Sequence, residues 1–256
     1  QAMVNPSFGP DGLALLEEGK TPEQALETLL AADEAREMRQ VAIVDARGNV
    51  ATHTGTKCIA EAGHRTGAGY SVQANMMLND RVWPKMARAF ESSQGRPLPE
   101  RLVAALFAAQ EVGGDVRGKQ SAALLVVRAS PTNKSWEDRI VDLRVEDHIE
   151  PVVELARLLR VQRAYDHMNR GDLAIEEGDA EKALAEYEMA RELYPQNPEP
   201  AFWHAVSLAN LGRIDEAVAL FDEVFVRDSN WRTLAARLVA VDLLTVSDED
   251  LERIVS

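Results

Sequence analysis

The residues most capable of chemistry lie in two neighbouring polar segments, T-H-T-G-T-K-C (52–58) and A-G-H-R-T-G (62–67). They bring two histidines, several threonine hydroxyls and one thiol close together along the chain. A histidine beside a hydroxyl or thiol can serve as the base that activates a nucleophile, which makes His53 and Thr54 candidate catalytic residues. The alternative is a polar loop in which threonine and glycine only form turns.

A metal site is not expected in these segments. His53, His64 and Cys58 lack a recognised zinc spacing, and a fourth ligand is missing. Cys58 is the only cysteine, and we interpret it as a small packed residue rather than a nucleophile. A single cysteine forms no intrachain disulfide, which favours a reducing compartment and predicts a cytoplasmic protein. No cofactor is predicted.

A second candidate site is the segment G-G-D-V-R-G-K-Q-S (113–121), which lies between a predicted helix and a predicted strand. Its glycines permit a close backbone approach to a ligand, and Asp115 and Arg117 can flank a pocket. The alternative is a plain helix-to-strand turn in which Asp115 and Arg117 form an ion pair at the surface.

The elements around both segments predict an α+β domain. Thr21-Pro22-Glu23-Gln24 has the residues of a capping box at the start of a helix. The run 121–128 is almost wholly apolar, which predicts a strand covered on both faces. Apolar spacing and turn residues further predict helices at 13–18, 22–30, 80–92 and 99–112, and strands at 40–46, 50–54, 70–73 and 140–145.

Six motifs in this part resemble, in order, a bacterial family of uncharacterised function. They are N-P-S-F-G-P-D-G-L-A-L-L (5–16), H-T-G-T-K-C (53–58), A-G-H-R-T-G (62–67), Q-A-N-M-M-L (73–78), G-G-D-V-R-G-K-Q-S-A-A-L-L-V-V (113–127) and D-L-R-V-E-D-H (142–148). That family has the fold of N-terminal-nucleophile (Ntn) hydrolases, so the resemblance implies a four-layer αββα sandwich over 1–150. It also implies amide or peptide hydrolysis. Asp115, Gly118 and Ser121 would then lie at the mouth of a cleft that His53 and Thr54 approach.

Two features depart from the Ntn pattern. These enzymes attack with a chain-terminal Thr, Ser or Cys, whereas Gln1 offers no nucleophile. The strands that usually open the domain are also missing, which would leave a sheet edge for another chain, or a second copy in a homo-oligomer, to cover. We therefore expect the chain as given to be inactive. The alternative is a non-enzymatic interaction protein with a degenerate Ntn-like domain.

The last part of the chain repeats with a period of 34 residues. The pairs in register are Gly171 with Ala205, Gly178 with Gly212, Pro195 with Ser229, Ala183 with Ala217, Tyr187 with Phe221, and Ala190 with Val224. This period is typical of tetratricopeptide repeats, and the segments 176–198 and 210–224 resemble that family. We predict an all-helical domain over 151–256 that binds a protein or peptide partner, with the last three pairs buried between stacked helices.

Further helices must complete this short array, because about three repeats are usually needed for stability. We predict that a helix over 152–168 packs on the first repeat and that a helix over 232–244 closes the array. Ser247 and Asp250 predict the cap of a final short helix. The apolar stripe of the closing helix consists of Leu234, Leu238, Val241 and Leu244.

Charge and hydropathy argue against two classes of binding partner, nucleic acids and membranes. The net charge is −14, and residues 151–256 carry 21 acidic against 11 basic side chains. Phosphate binding needs clustered Lys and Arg, so no nucleic-acid partner is expected. No apolar run approaches the ~18 residues of a membrane helix, so no membrane partner is expected.

Overall fold

The computed structural model describes residues 3–132 and 134–256. The chain divides into two compact units, Gln1–Ala156 and Arg157–Ser256. The first unit mixes helices with short strands, and the second is helical. Each unit contains its own cluster of buried apolar side chains, as expected of parts that bury apolar surface independently.

The first unit opens with two helices that lead into a hairpin. The Thr21 hydroxyl accepts a hydrogen bond from the Gln24 N–H, and the Gln24 side chain accepts one from the Thr21 N–H, which confirms the predicted capping box. The elements in chain order are α1 (Phe8–Glu17), α2 (Pro22–Ala31), β1 (Gln40–Val44), β2 (Val50–Thr54), β3 (Gly63–Gly67), β4 (Tyr70–Ala74), α3 (Val82–Ser92), α4 (Leu98–Glu111), β5 (Ala122–Val127), α5 (Ser135–Asp138) and β6 (Arg139–Val145).

The strands of the described residues form three two-stranded antiparallel sheets: β1 with β2, β3 with β4, and β5 with β6. The predicted mixture of helices and strands is confirmed, and the first and third strand pairs were predicted. The strand β3 lies in the segment interpreted as a polar loop, so that alternative is wrong for residues 63–67. It was missed because Gly, His, Arg and Thr give no apolar alternation. The four-layer sandwich stays a prediction.

The apolar strand β5 is covered on one face only. Leu124 is 4% exposed, whereas Leu125 and Val127 are each 55% exposed. The prediction of a strand covered on both faces is therefore wrong. The reason is the pleat: α4 packs against this strand, and alternate side chains point to the opposite face.

The core of the first unit joins α1 and α2 to the first hairpin. Val41 and Ile43 are two residues apart in β1, so they lie on one face of the strand, and both belong to the cluster formed with α1 and α2. A second, smaller cluster joins β4 to α3 and α4 through Ala74, Val82 and Ala109. The main cluster consists of Phe8, Ala25, Leu26, Leu29, Val41, Ile43 and Ala51.

The second unit is a series of stacked helices. All six residues of the last three register pairs are at most 3% exposed, which confirms that they are buried. Gly178 and Gly212 end their helices with φ of 77° and 75°, the left-handed conformation that glycine adopts without strain. The helices are α6 (Pro151–Glu176), α7 (Ala180–Leu193), α8 (Glu199–Asn210), α9 (Ile214–Arg227), α10 (Asn230–Val239) and α11 (Asp248–Val255).

The helix α6 packs on the first repeat, as predicted for 152–168. Ala164 and Met168 lie in one buried cluster with Ala183 and Tyr187. The helices approach closely because Gly171 has no side chain: a Cβ there would lie 2.7 Å from Cε1 of Tyr187. The helix continues to Glu176, beyond the predicted end, and supplies the first half of the repeat.

The predicted closing helix over 232–244 is too long. The helix α10 ends at Val239, and Asp242 has a φ of 58°. Asn210 holds the chain there, since its side chain donates to the Leu243 carbonyl (3.0 Å) and accepts from the Thr245 N–H (2.8 Å). Consequently Leu244 remains buried, but Val241 is 61% exposed, so its place in the apolar stripe is wrong.

The final helix is capped as predicted. The Ser247 hydroxyl accepts a hydrogen bond from the Asp250 N–H at 3.1 Å. Three acidic residues in the first turn of α11 favour its positive N-terminal end. Ile254 on the same helix is 1% exposed and belongs to the main cluster of the second unit, so the cap fixes a helix that contributes to the core.

Candidate functional site

The strand β2 presents the two predicted catalytic residues to opposite faces. His53 and Thr54 are consecutive in β2, and consecutive side chains of a strand point in opposite directions. Nε2 of His53 lies 2.9 Å from the carbonyl oxygen of Arg36. The ring of His53 therefore lies on the other face of β2 from the Thr54 hydroxyl.

A different histidine meets the Thr54 hydroxyl. Nδ1 of His64 on β3 lies 2.8 Å from Oγ1 of Thr54. Gln40 is 7% exposed, and its Nε2 donates to the same oxygen at 3.0 Å and to the Ala74 carbonyl at 2.9 Å. The Thr54 hydroxyl donates to Nδ1 of His64 when the imidazole proton is on Nε2, and it accepts from Nδ1 in the other tautomer. Gln40, Thr54 and His64 thus form one hydrogen-bonded group, in which the Thr54–His64 contact links the first hairpin to the second.

Polar side chains continue along the neighbouring strand. His64 pairs with Gln73 across the second hairpin, so their side chains share one face. Ser71, Gln73 and Asn75 each have a buried side-chain oxygen or nitrogen without a hydrogen-bond partner in the described structure. Buried polar groups are normally paired, and this row therefore offers free donors and acceptors beside the Thr54–His64 pair. The signal for this row in the sequence is the alternation of polar residues at 71, 73 and 75 with Val72 and Ala74.

The turn at 113–121 holds its carboxylate in an ion pair. Asp115 accepts two side-chain hydrogen bonds from Arg117, at 2.9 and 2.6 Å. The Arg117 hydrogen bonds hold the pKa of the Asp115 carboxyl below its usual range. The backbone of Asp115 bridges to Met77, and Gly118 and Ser121 are exposed. In the described residues, no hydrogen bond joins this turn to His53 or Thr54, so their predicted common cleft stays a prediction.

The second unit contains a groove of about 630 Å³, which we call the repeat groove. Its floor is apolar and aromatic, and its rim carries carboxylates and amides. It is built by one face of α6, the start of α7, one face of α8, and Leu243. The lining residues are Tyr165, Met168, Asn169, Asp172, Ile175, Glu176, Gly178, Ala180, Tyr187, Glu199, Trp203, Val206, Ser207, Asn210, Leu211 and Leu243.

Two tyrosines orient carboxylates in the repeat groove. The Tyr187 O–H donates to Asp172 at 2.7 Å, and the Tyr165 O–H donates to Glu199 at 2.7 Å. Burial, followed by the bond to Asp172, raises the pKa of Tyr187. The bond to Glu199 is the main cause that raises the pKa of Tyr165. Both phenols therefore stay neutral near pH 7 and keep the proton that they donate to the carboxylates.

His204 on α8 makes the second unit sensitive to pH. Its Nδ1 lies 3.4 Å from Glu188 but forms no hydrogen bond, and burial lowers the pKa of His204 below its usual 6.5. Below about pH 6.5 the unfolded chain therefore binds a proton at this residue more readily than the folded chain does. We expect the free energy of unfolding to fall as pH drops from about 6.5 through the lower folded pKa. Denaturation from pH 8 to 5 should show a shallower fall in His204→Gln, and an identical fall would contradict this.

Metal and membrane features are not found in the parts that the structure describes. Between residues 3 and 132 and from 134 onward, no group of three or more His, Cys, Asp or Glu side chains is placed to hold a metal ion. Cys58 is half-buried, and its Sγ donates to the Arg39 carbonyl oxygen at 3.3 Å. Over the same described ranges, no helix has the length and apolar character needed to cross a bilayer.

Both parts of the chain match known families. Residues 1–155 match the family of unknown function DUF1028, over more than half of the chain. The chain belongs to the DUF1028 family. Residues 174–240 match the tetratricopeptide repeat, so this DUF1028 protein carries a repeat of a kind that supports protein interaction. The predicted resemblance of the first part to a family of unknown function, and of the last part to tetratricopeptide repeats, is confirmed. The relation to Ntn hydrolases stays a prediction.

A solved structure agrees with the DUF1028 assignment. The crystal structure of a protein from Silicibacter pomeroyi, itself described as DUF1028, is 30% identical to this chain. The match covers 62% of this chain and 68% of that one, with a TM-score of 0.54. Among curated proteins, none matches this chain significantly.

Proposed function

We propose that this protein is an interaction protein whose repeat groove binds a segment of a partner protein. The observation that carries the proposal is the groove itself, a concavity of about 630 Å³ with Trp203 and Met168 in its lining. Pockets of roughly 300–1,000 Å³ bury most of the surface of a drug-sized ligand, so a few consecutive side chains of a peptide would fill this one. Stacked helical repeats commonly bind partners on such concave surfaces.

The test uses random 12-residue peptides displayed on phage and selected on the full chain. Asn169 is exposed on α6 and lines the groove, so Asn169→Trp should obstruct it without disturbing the core. Leu173 is 55% exposed on the same helix and is not among the lining residues, so Leu173→Trp is the matched control. Selected peptides should bind Asn169→Trp at least about tenfold more weakly, equivalent to 1.4 kcal/mol, and bind the control as tightly as the parent.

Two results would contradict the proposal. One is that no peptide is enriched on the parent chain over a surface without protein. The other is that every enriched peptide binds the parent, Asn169→Trp and Leu173→Trp equally well. Either result would mean that the repeat groove does not take a peptide segment.

A second candidate function is amide or peptide hydrolysis by the first unit as an Ntn-type αββα domain. The observation that favours it is the 2.8 Å contact between the Thr54 hydroxyl and His64. In this proposal Asp115, Gly118 and Ser121 border the cleft, and the repeat groove recruits the substrate. Gln1, which offers no nucleophile, lies outside the described residues.

Hydrolysis is tested on a panel of chromogenic amide and peptide substrates. If the chain cleaves one of them, Thr54→Val and His64→Gln should each lose most of the activity, because general-base activation commonly contributes about 10²–10⁴-fold. Thr66→Val, which removes an exposed hydroxyl on the same hairpin, should keep it. Equal activity in Asp115→Ala and the parent would exclude Asp115, and with it the turn at 113–121, from the hydrolysis. Full activity in Thr54→Val would exclude this nucleophile, and no activity in the parent would favour the interaction protein.

A further inference from the structure

The charged side chains among the described residues that line the repeat groove are all acidic. Three carboxylates line it, Asp172, Glu176 and Glu199, and no lysine, arginine or histidine is found among its described lining residues. Asp172 and Glu199 each accept a tyrosine hydrogen bond, which fixes their positions without neutralising them. A concavity lined by charge of one sign attracts ligands of the opposite sign.

The same groove provides apolar and aromatic surface. Trp203 is half-buried and Tyr165 is 39% exposed, so their rings remain partly accessible from solvent. Met168 and Val206 lie deeper in the lining and are almost fully buried. The chain of methylene groups in a lysine or arginine packs along such apolar surface while its charged end reaches polar groups, and cations also favour aromatic faces.

We infer that the partner segment bound by the repeat groove presents a lysine or arginine side chain flanked by apolar residues. The stem of that side chain lies against the aromatic part of the lining, and its cation reaches Glu176 or Glu199 at the rim. This inference rests on the proposed function, since it names the chemistry of the segment that the groove binds. The surrounding domain favours the same partner, because residues 151–256 carry a net charge of −10.

The test compares two double variants that remove the same charge. Glu176→Gln/Glu199→Gln neutralises the groove while keeping side-chain length and hydrogen-bonding capacity. Glu249→Gln/Glu252→Gln neutralises two exposed residues of α11 that do not line the groove. The probes are the phage-selected 12-residue peptides with a fluorescent label, together with versions in which each Lys and Arg is replaced by glutamine.

We expect the selected peptides to be enriched in Lys or Arg next to apolar residues and depleted in Asp and Glu. Their affinity, read by fluorescence polarisation, should fall about three- to fivefold in the groove variant, as the loss of one partly exposed ion pair allows. The α11 variant should bind within about twofold of the parent. Raising the salt concentration should weaken binding to the parent more than to the groove variant.

The possible failures are distinguishable from one another. Peptides that lose binding in Asn169→Trp but carry no Lys or Arg would overturn the basic-segment inference and leave the proposed interaction function standing. Equal affinity in the two double variants, or unchanged binding of the glutamine peptides, would overturn it as well. If no peptide depends on the groove, both the proposed function and the inference fall together.

Discussion

Replacing Phe221 with alanine should lower the free energy of unfolding of the second unit by about 3–5 kcal/mol, the usual cost of removing a buried aromatic ring. Phe221 is 0% exposed. Its ring centroid lies 5.6 Å from that of Phe202 and 5.5 Å from that of Phe225. The loss combines the burial of the ring with the cavity left in a cluster to which five helices, α7 to α11, contribute.

Chemical denaturation followed by the fluorescence of Trp203 and Trp231 measures this loss, because both tryptophans pack against the same cluster. Val226 lies on the same helix as Phe221 and is 88% exposed, so Val226→Ala is the matched control. It should change stability by no more than about 0.5 kcal/mol. A Phe221→Ala protein as stable as the control would show that the aromatic position of the repeat is not a core position.

Adding a single methyl group at Gly55 should destabilise the first unit by about 1–3 kcal/mol or more, the range for overpacking a filled interior. A Cβ there would lie 2.7 Å from Cα of Glu37 and closer still to its carbonyl group. The neighbouring backbone cannot yield easily, because the Gly55 N–H donates to the Arg39 carbonyl at 2.9 Å. This close approach of Gly55 to the backbone of residues 37–39 lies directly after β2, next to the contact between Thr54 and His64.

The control for Gly55→Ala is Gly9→Ala. A Cβ at Gly9 in α1 would meet no atom within 4 Å, and alanine favours a helix over glycine by up to ~1 kcal/mol. Hydrogen-exchange mass spectrometry of the 37–57 region should show faster exchange in Gly55→Ala and unchanged or slower exchange in Gly9→Ala. Equal protection in both variants would mean that the backbones of Gly55 and Glu37 lie farther apart than the structure shows.

The repeat architecture was predictable because close helix packing restricts residue size. A Cβ added at Gly171 would lie 2.7 Å from Cε1 of Tyr187, and the small and the aromatic residue recur 34 positions later as Ala205 and Phe221. The end of α10 was not predictable. It depends on the side chain of Asn210, which forms hydrogen bonds with the backbone at Leu243 and Thr245. Local sequence patterns do not predict a hydrogen bond between residues so far apart in the chain.

The candidate site was predictable in its residue types but not in its pairings. Thr54 stands out in the sequence, but its histidine partner, His64, lies on the other hairpin, and Gln40 joins the two hairpins through the Thr54 hydroxyl and the Ala74 carbonyl. His53 is the nearer histidine in sequence but points to the other face of β2. The repeat groove had no sequence signal of its own, because its lining comes from three helices and Leu243.

Mapping a selected peptide onto the chain tests the central claim most directly. In a titration followed by backbone amide chemical shifts, we expect the largest changes at Asn169, Ser207 and Asn210, which line the repeat groove, and little change in α11 or in the first unit. The Asn169→Trp variant should lose these changes at the same peptide concentration, while Leu173→Trp keeps them. The largest shifts clustering on α11 or on the β1–β2 hairpin would contradict binding in the groove.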